Sequence, residues 1–143
     1  MTYSPLLAPI VALVAWTLVI MAWMAATRFA TFKKMGITLG NIPPGSRGAN
    51  LEGKAPDEVQ WKSHNYMHLM EQPTVFYAAC VILSIGGPTG YDAILAWAYL
   101  LIRVVHSVYQ ARVNVVKIRA FLFVASTLVM VLLAFRALLS VLN

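Results

Sequence analysis

His64, His68 and Glu71 stand at i, i+4 and i+7, and Arg103, His106 and Gln110 stand at i, i+3 and i+7. On helices each triplet forms one stripe. Asn65 adjoins the first stripe and Ser107 the second. A carboxylate or guanidinium at bilayer depth is costly even on the mildest insertion scale, so such residues face a bundle interior and mark a function. The chemistry open to this set is narrow. His64 and His68 have ligand spacing and Glu71 could add oxygen. However, no Glu follows the first His as in a zincin and no further ligand is spaced to join them, so no metal site is assigned. Ser107 points away from His106 and no nucleophile elbow is present, which argues against a Ser/His hydrolase. What remains is Glu71 with Arg103. If their helices run antiparallel, the two fall at similar depth and are expected to pair, within one protomer or between protomers. The pair is either an ion pair holding helices together or the core of a polar binding site.

The elements that must position these side chains are membrane helices. The chain is 143 residues long, 60% hydrophobic and 11% charged, with a mean hydropathy of +0.73, outside the range of water-soluble domains. Runs of about 20 apolar residues suffice to cross a bilayer, and four are expected, near residues 6–29, 65–86, 91–110 and 120–142. The fold class is therefore all-α, an integral membrane four-helix bundle in one domain spanning 1–143. No Lys or Arg precedes the first run and it exceeds a signal peptide's apolar core, so it is read as a retained helix. Cys80 stands alone, excluding an intramolecular disulfide and a Cys-rich metal site. It reads as a small buried apolar residue.

The net charge of +6 does not point to nucleic acid, because of where the cations fall. Arg28, Lys33, Lys34, Arg47, Lys54 and Lys62 lie at or between the first and second runs, and Arg112, Lys117 and Arg119 between the third and fourth, whereas "GGPTGYD" carries none. The positive-inside rule then makes the two basic loops cytoplasmic and both termini non-cytoplasmic, with anionic lipid as the partner of the basic residues. The long connection, 31–63, contains "LGNIPPGSRGANLEGKAP", whose Gly, Pro and Asn break helices. It reads as a functional or mobile loop, or as a solvated linker at the lipid surface. Pro56-Asp57-Glu58 can start the second helix before it reaches the membrane. Arg136 reads as a side chain that snorkels outward. Trp16, Trp23, Trp61, Tyr66, Trp97 and Tyr99 read as packing and interfacial residues.

Over nearly its full length the chain resembles the MAPEG family, the membrane-associated proteins in eicosanoid and glutathione metabolism. The motifs are "HLMEQP" (His68–Pro73), "RVVHS" (Arg103–Ser107) and a basic residue, Arg119, opening the fourth helix. "NYMHLMEQPTVFY" follows a string frequent in the bacterial branch, with His68 replacing its second Asn. The resemblance implies a homotrimer with glutathione as co-substrate held between protomers near the cytoplasmic face. It implies Glu71 on the tripeptide's amino group, Asn65, His68, Arg103, His106 and Gln110 among its remaining contacts, and Arg119 stabilising the thiolate. An adjacent cation lowers a thiol's pKa, and the thiolate is the nucleophile. The implied activity is transfer or peroxide reduction on lipophilic electrophiles in a bacterial inner membrane. Gln110 and Phe123 stand where well-studied members carry aromatic hydroxyls, and His64 stands where they carry a basic residue. A lipid- or partner-binding protein without catalysis is the alternative. A four-helix proton-coupled transporter, with Glu71 as carrier, fits less well because the polar residues cluster near one face.

Overall fold

The computed structural model describes residues 3–142, the side chain of Leu39 apart. Four helices account for most of it: α1 (Leu7–Lys34), α2 (Asp57–Gly86), α3 (Gly90–Arg112) and α4 (Val116–Leu142). All four are long and apolar enough to cross a membrane. The helices outrun the apolar spans, because a helix continues into the interface wherever its ends are compatible with water. Lys33 and Lys34 occupy the last turn of α1, where cations suit the negative end of the helix dipole. Asp57 and Glu58 occupy the first turn of α2, where carboxylates suit the positive end. The connection is thereby shortened to 35–56, with 3-10 turns at Leu39–Asn41 and Gly48–Leu51.

Pro73 lies inside α2 without ending it. Gly87 ends it with φ +87, a conformation glycine adopts without the clash of a Cβ. Helix α3 opens on a reciprocal cap: Thr89 Oγ1 accepts from the Asp92 amide at 3.4 Å, and Asp92 Oδ2 accepts from the Thr89 amide at 2.8 Å.

Helices α2 and α3 pack together, with α1 and α4 flanking them and each touching both. Leu13, Ile20, Leu69, Cys80, Leu83 and Leu133 fill the interior, around Phe76 and Tyr99 stacked at 4.4 Å between centroids. Large apolar side chains such as Leu18, Ile85, Ile94, Leu101, Phe121 and Leu128 point outward, as a lipid-facing surface permits. One polar hub crosses the interior: Gln72 Nε2 donates to Thr127 Oγ1 at 2.7 Å. Its Oε1 accepts from Tyr99 and Ser126, both at 3.3 Å.

Arg136 departs from the sequence expectation. Instead of snorkelling outward, its Nε and Nη2 donate to the two carboxylate oxygens of Asp92 at 2.9 and 3.3 Å. Asp92 is fully buried, so the interior holds an acid that needs a cation. Arg136 reaches it because α3 starts at the end of the bundle where the antiparallel α4 finishes.

Candidate polar site at one end of the bundle

The two stripes meet where α2 and α3 face one another. Asn65 Nδ2 donates to Ser107 Oγ at 2.8 Å, and Trp16 Nε1 of α1 donates to the same oxygen at 3.0 Å. One turn along, His68 stacks on His106 with centroids 6.1 Å apart and planes 10° from parallel. Phe123 of α4 closes on both rings, at 6.2 Å from each. Arg103 is completely buried; its Nη2 donates to the His68 carbonyl at 2.7 Å. Its guanidinium carbon lies 5.9 Å from the Phe123 ring centroid.

Several of these groups are buried with hydrogen-bonding capacity unspent. Arg103 Nε and Nη1, His106 Nε2, Asn65 Oδ1, His68 Nδ1 and both amide atoms of Gln110 have no partner among the described residues. Buried polar atoms are overwhelmingly satisfied in native proteins, so this concentration marks the cluster as a candidate site for a polar ligand. Its charge is one-sided, because Arg103 is fully buried and no ion pair to it occurs among the described residues. A small cavity of about 240 Å³ opens beside it, walled by His68, His106, Arg119, Phe123 and Val124. Arg119 is steadied at its rim, with Nη1 donating to Asn114 Oδ1 at 2.7 Å. Asn114 itself sits at the α3–α4 corner with φ 56, a left-handed geometry that Asn tolerates.

Asn65, His68, Arg103, His106 and Arg119 are thus placed about one end of the α2–α3 seam, and Gln110 continues the buried stripe of α3. Glu71 is not brought in. It is exposed on the outer face of α2, and the pairing with Arg103 is absent within the chain among the described residues. Nor does His64 join the stripe: its Nε2 lies 2.7 Å from Glu52 Oε1 of the loop. Lys62, counted from the sequence among the basic residues of the first connection, is buried; its Nζ donates to the Glu58 carbonyl at 2.6 Å and sits 5.1 Å from the Trp23 ring centroid. Arg112 approaches the same ring at 5.6 Å, so Trp23 joins α1 to α2 and α3 by cation–π contact.

The set can bind anions through a guanidinium, offer neutral donors and acceptors to an amide backbone, and present a rim cation to a reactive atom. Among the described residues no three His, Cys, Asp or Glu side chains are grouped to hold a metal ion. Sequence reasoning did not single out Trp16 for this region, nor Gln60 and Gln72 elsewhere in the bundle. Gln72 carried a signal, a second polar residue beside Glu71 in an apolar run, and buried Gln60 carried none. The family model described as "MAPEG family" matches residues 6–139. No curated protein and no solved structure matches the chain.

Proposed function

The chain belongs to the MAPEG family, and from that premise we propose that it is a membrane-embedded, glutathione-dependent transferase or peroxidase acting on lipophilic electrophiles. The observation that carries this reading is the fully buried Arg103, with two donor nitrogens unspent beside the unspent polar atoms of His106, Gln110 and Asn65. Glutathione suits them: it carries two carboxylates, two amides, an ammonium and a thiol. In this reading Arg103 takes a carboxylate, while Asn65, His68, His106 and Gln110 meet the peptide groups. Arg119 stands over the sulfur.

The same reading calls for a second copy of the chain. Glu71 lies six residues, about 9 Å of helix rise, inside the apolar run that begins near Asn65, and it is exposed on the bundle surface. A carboxylate facing lipid there is costly. A neighbouring protomer, in a homotrimer, covers it and lets Glu71 take the glutathione ammonium or answer Arg103 across the interface. The electrophile reaches the sulfur from the lipid side, past Phe123 and Val124. In the transfer reaction the thiolate's electron pair forms the new carbon–sulfur bond while the carbon–leaving-group bond breaks and its electron pair departs with the leaving group; the thiol proton has already left to water.

The test is calorimetry of glutathione binding to detergent-purified protein, combined with ultraviolet detection of thiolate. Free thiols have a pKa of about 8.5, and a neighbouring guanidinium favours the charged form. Thiolate absorbance is expected near neutral pH when glutathione is added. Arg119→Ala removes it, and Arg119→Lys keeps part of it, since Lys offers charge without the planar fork. If Arg119 is only the anchor of the α3–α4 corner through Asn114, Lys substitutes fully and Ala leaves glutathione affinity unchanged. Binding without thiolate would instead favour a non-catalytic binder, a second reading supported by Gln110 and Phe123, which supply no hydroxyl.

In a bacterial inner membrane the connection containing Arg47 and the α3–α4 corner beside Arg112 face the cytoplasm. Cysteines introduced at Gly90 are then labelled by impermeant reagents in cells whose inner membrane is intact. Labelling only after that membrane is permeabilised contradicts this orientation.

A further inference from the structure

Away from the polar cluster, the connection between α1 and α2 folds over the end of α1 and encloses a cavity of about 370 Å³. Arg28, Arg47 and Lys54 line it together with apolar groups that include Phe32, Ile42 and Leu51. No acidic side chain contributes to its wall among the described residues. Glu52, the only acid in residues 35–56, lies 2.7 Å from His64, and no ion pair to Arg28, Arg47 or Lys54 occurs among the described residues.

Arg28 is fixed in place there. Its Nη2 donates to Ser63 Oγ at 2.7 Å, and its guanidinium lies so close to Gly48 that a Cβ at that position would meet Nη2 at 3.1 Å. Its Nε is buried with no partner among the described residues. A second cavity, of about 290 Å³, shares Phe32 and Ile37 with the first and continues to Phe29 and Lys33. Phe29 is 60% exposed on the outer face of α1. A cationic cradle that adjoins an apolar groove along a membrane helix, with Phe32 and Ile37 walling both, has the shape of an amphiphile's binding site.

We propose that this cradle holds one anionic phospholipid, with the phosphate between Arg28, Arg47 and Lys54 and an acyl chain running past Phe32 and Ile37 to Phe29. The groove distinguishes a lipid from free phosphate, because phosphate uses only the cationic half. The site is separate from the glutathione cluster, and its occupancy does not depend on that assignment.

The experiment is native mass spectrometry of the protein released from nanodiscs of phosphatidylcholine containing phosphatidylglycerol. Retention of one phosphatidylglycerol per chain is expected. Cations near a membrane surface each contribute about 1 kcal/mol to anionic lipid attraction, so the exposed pair Arg47→Ala/Lys54→Ala should weaken retention roughly 30-fold. Lys34→Ala/Lys117→Ala removes the same charge outside the cradle and should weaken retention far less, since those cations do not touch the phosphate. Circular dichroism and elution volume check that both variants are folded. Equal loss in the two pairs would show diffuse attraction and overturn the site. Displacement of the lipid by millimolar inorganic phosphate would overturn the lipid assignment, and so would equal retention of phosphatidylcholine.

Discussion

Arg103→Met is expected to weaken glutathione binding by roughly 30-fold or more while leaving the protein at least as resistant to heat as the parent. The guanidinium is completely buried, and one hydrogen bond, to the His68 carbonyl at 2.7 Å, is all it makes among the described residues. Truncating one member of a buried, hydrogen-bonded charge pair costs about 2–5 kcal/mol of binding, roughly 30- to 4000-fold in Kd. Without ligand the balance reverses, because a buried charge is less favourable than an apolar side chain of similar volume. A structural residue would show the opposite pattern, losing stability first. Calorimetry and thermal unfolding on the same samples separate the two, and a Kd within threefold of the parent would remove Arg103 from the site. Should Glu71 of a neighbouring copy answer Arg103, Glu71→Gln lowers oligomer stability in the parent. It does so much less in the Arg103→Met background, where no cation is left to lose its partner.

Arg136→Met should lower the unfolding midpoint by roughly 5–10 °C, as expected for removing one member of an ion pair that holds a buried acid. Asp92 is fully buried, whereas the Arg136 side chain is 36% exposed. Loss of the arginine therefore strands the acid, with only the Thr89 amide and hydroxyl to serve it, at 2.8 and 2.7 Å. Adding Asp92→Asn to Arg136→Met should recover most of the loss. Asn removes the charge and keeps an acceptor for the cap of α3. Asp92→Ala alone should be destabilising by another route: Arg136 can turn toward the interface, but the cap is gone. Tryptophan fluorescence during heating in detergent reads all four proteins. A double variant no more stable than Arg136→Met alone would show that the bond in the structure carries little stability.

The limits of local information are visible in particular side chains. His64 has the spacing to join His68 and Glu71, yet the loop offers it Glu52. Glu71 shares a stripe with His68, yet the stripe is wide enough for His68 to turn inward onto His106 and Glu71 outward. Successive helical residues are separated by about 100°, so positions three or four apart differ by tens of degrees in direction. That spread separates a residue in a seam from one on the bundle surface. Arg136 was legible as a charge near a helix end, but its partner lies 44 positions away in sequence.

Composition and periodicity by themselves determined that this protein has four apolar helices. Their local start and stop signals determined that α2 begins at Asp57 and ends before Gly87. They also placed a polar band on α2 and α3 and a basic residue at the start of α4. Those properties depend on residues close in the chain, through hydrogen bonding within a helix, capping and transfer of apolar side chains out of water. The tertiary structure alone decided that Asn65 meets Ser107, that Arg103 turns to the His68 carbonyl and leaves Glu71 aside, and that Asp92 is answered by Arg136. The physical reason is that each contact depends on how two helices are rotated and shifted against one another. Many apolar contacts along their whole length set that arrangement together, and no short stretch of sequence encodes it.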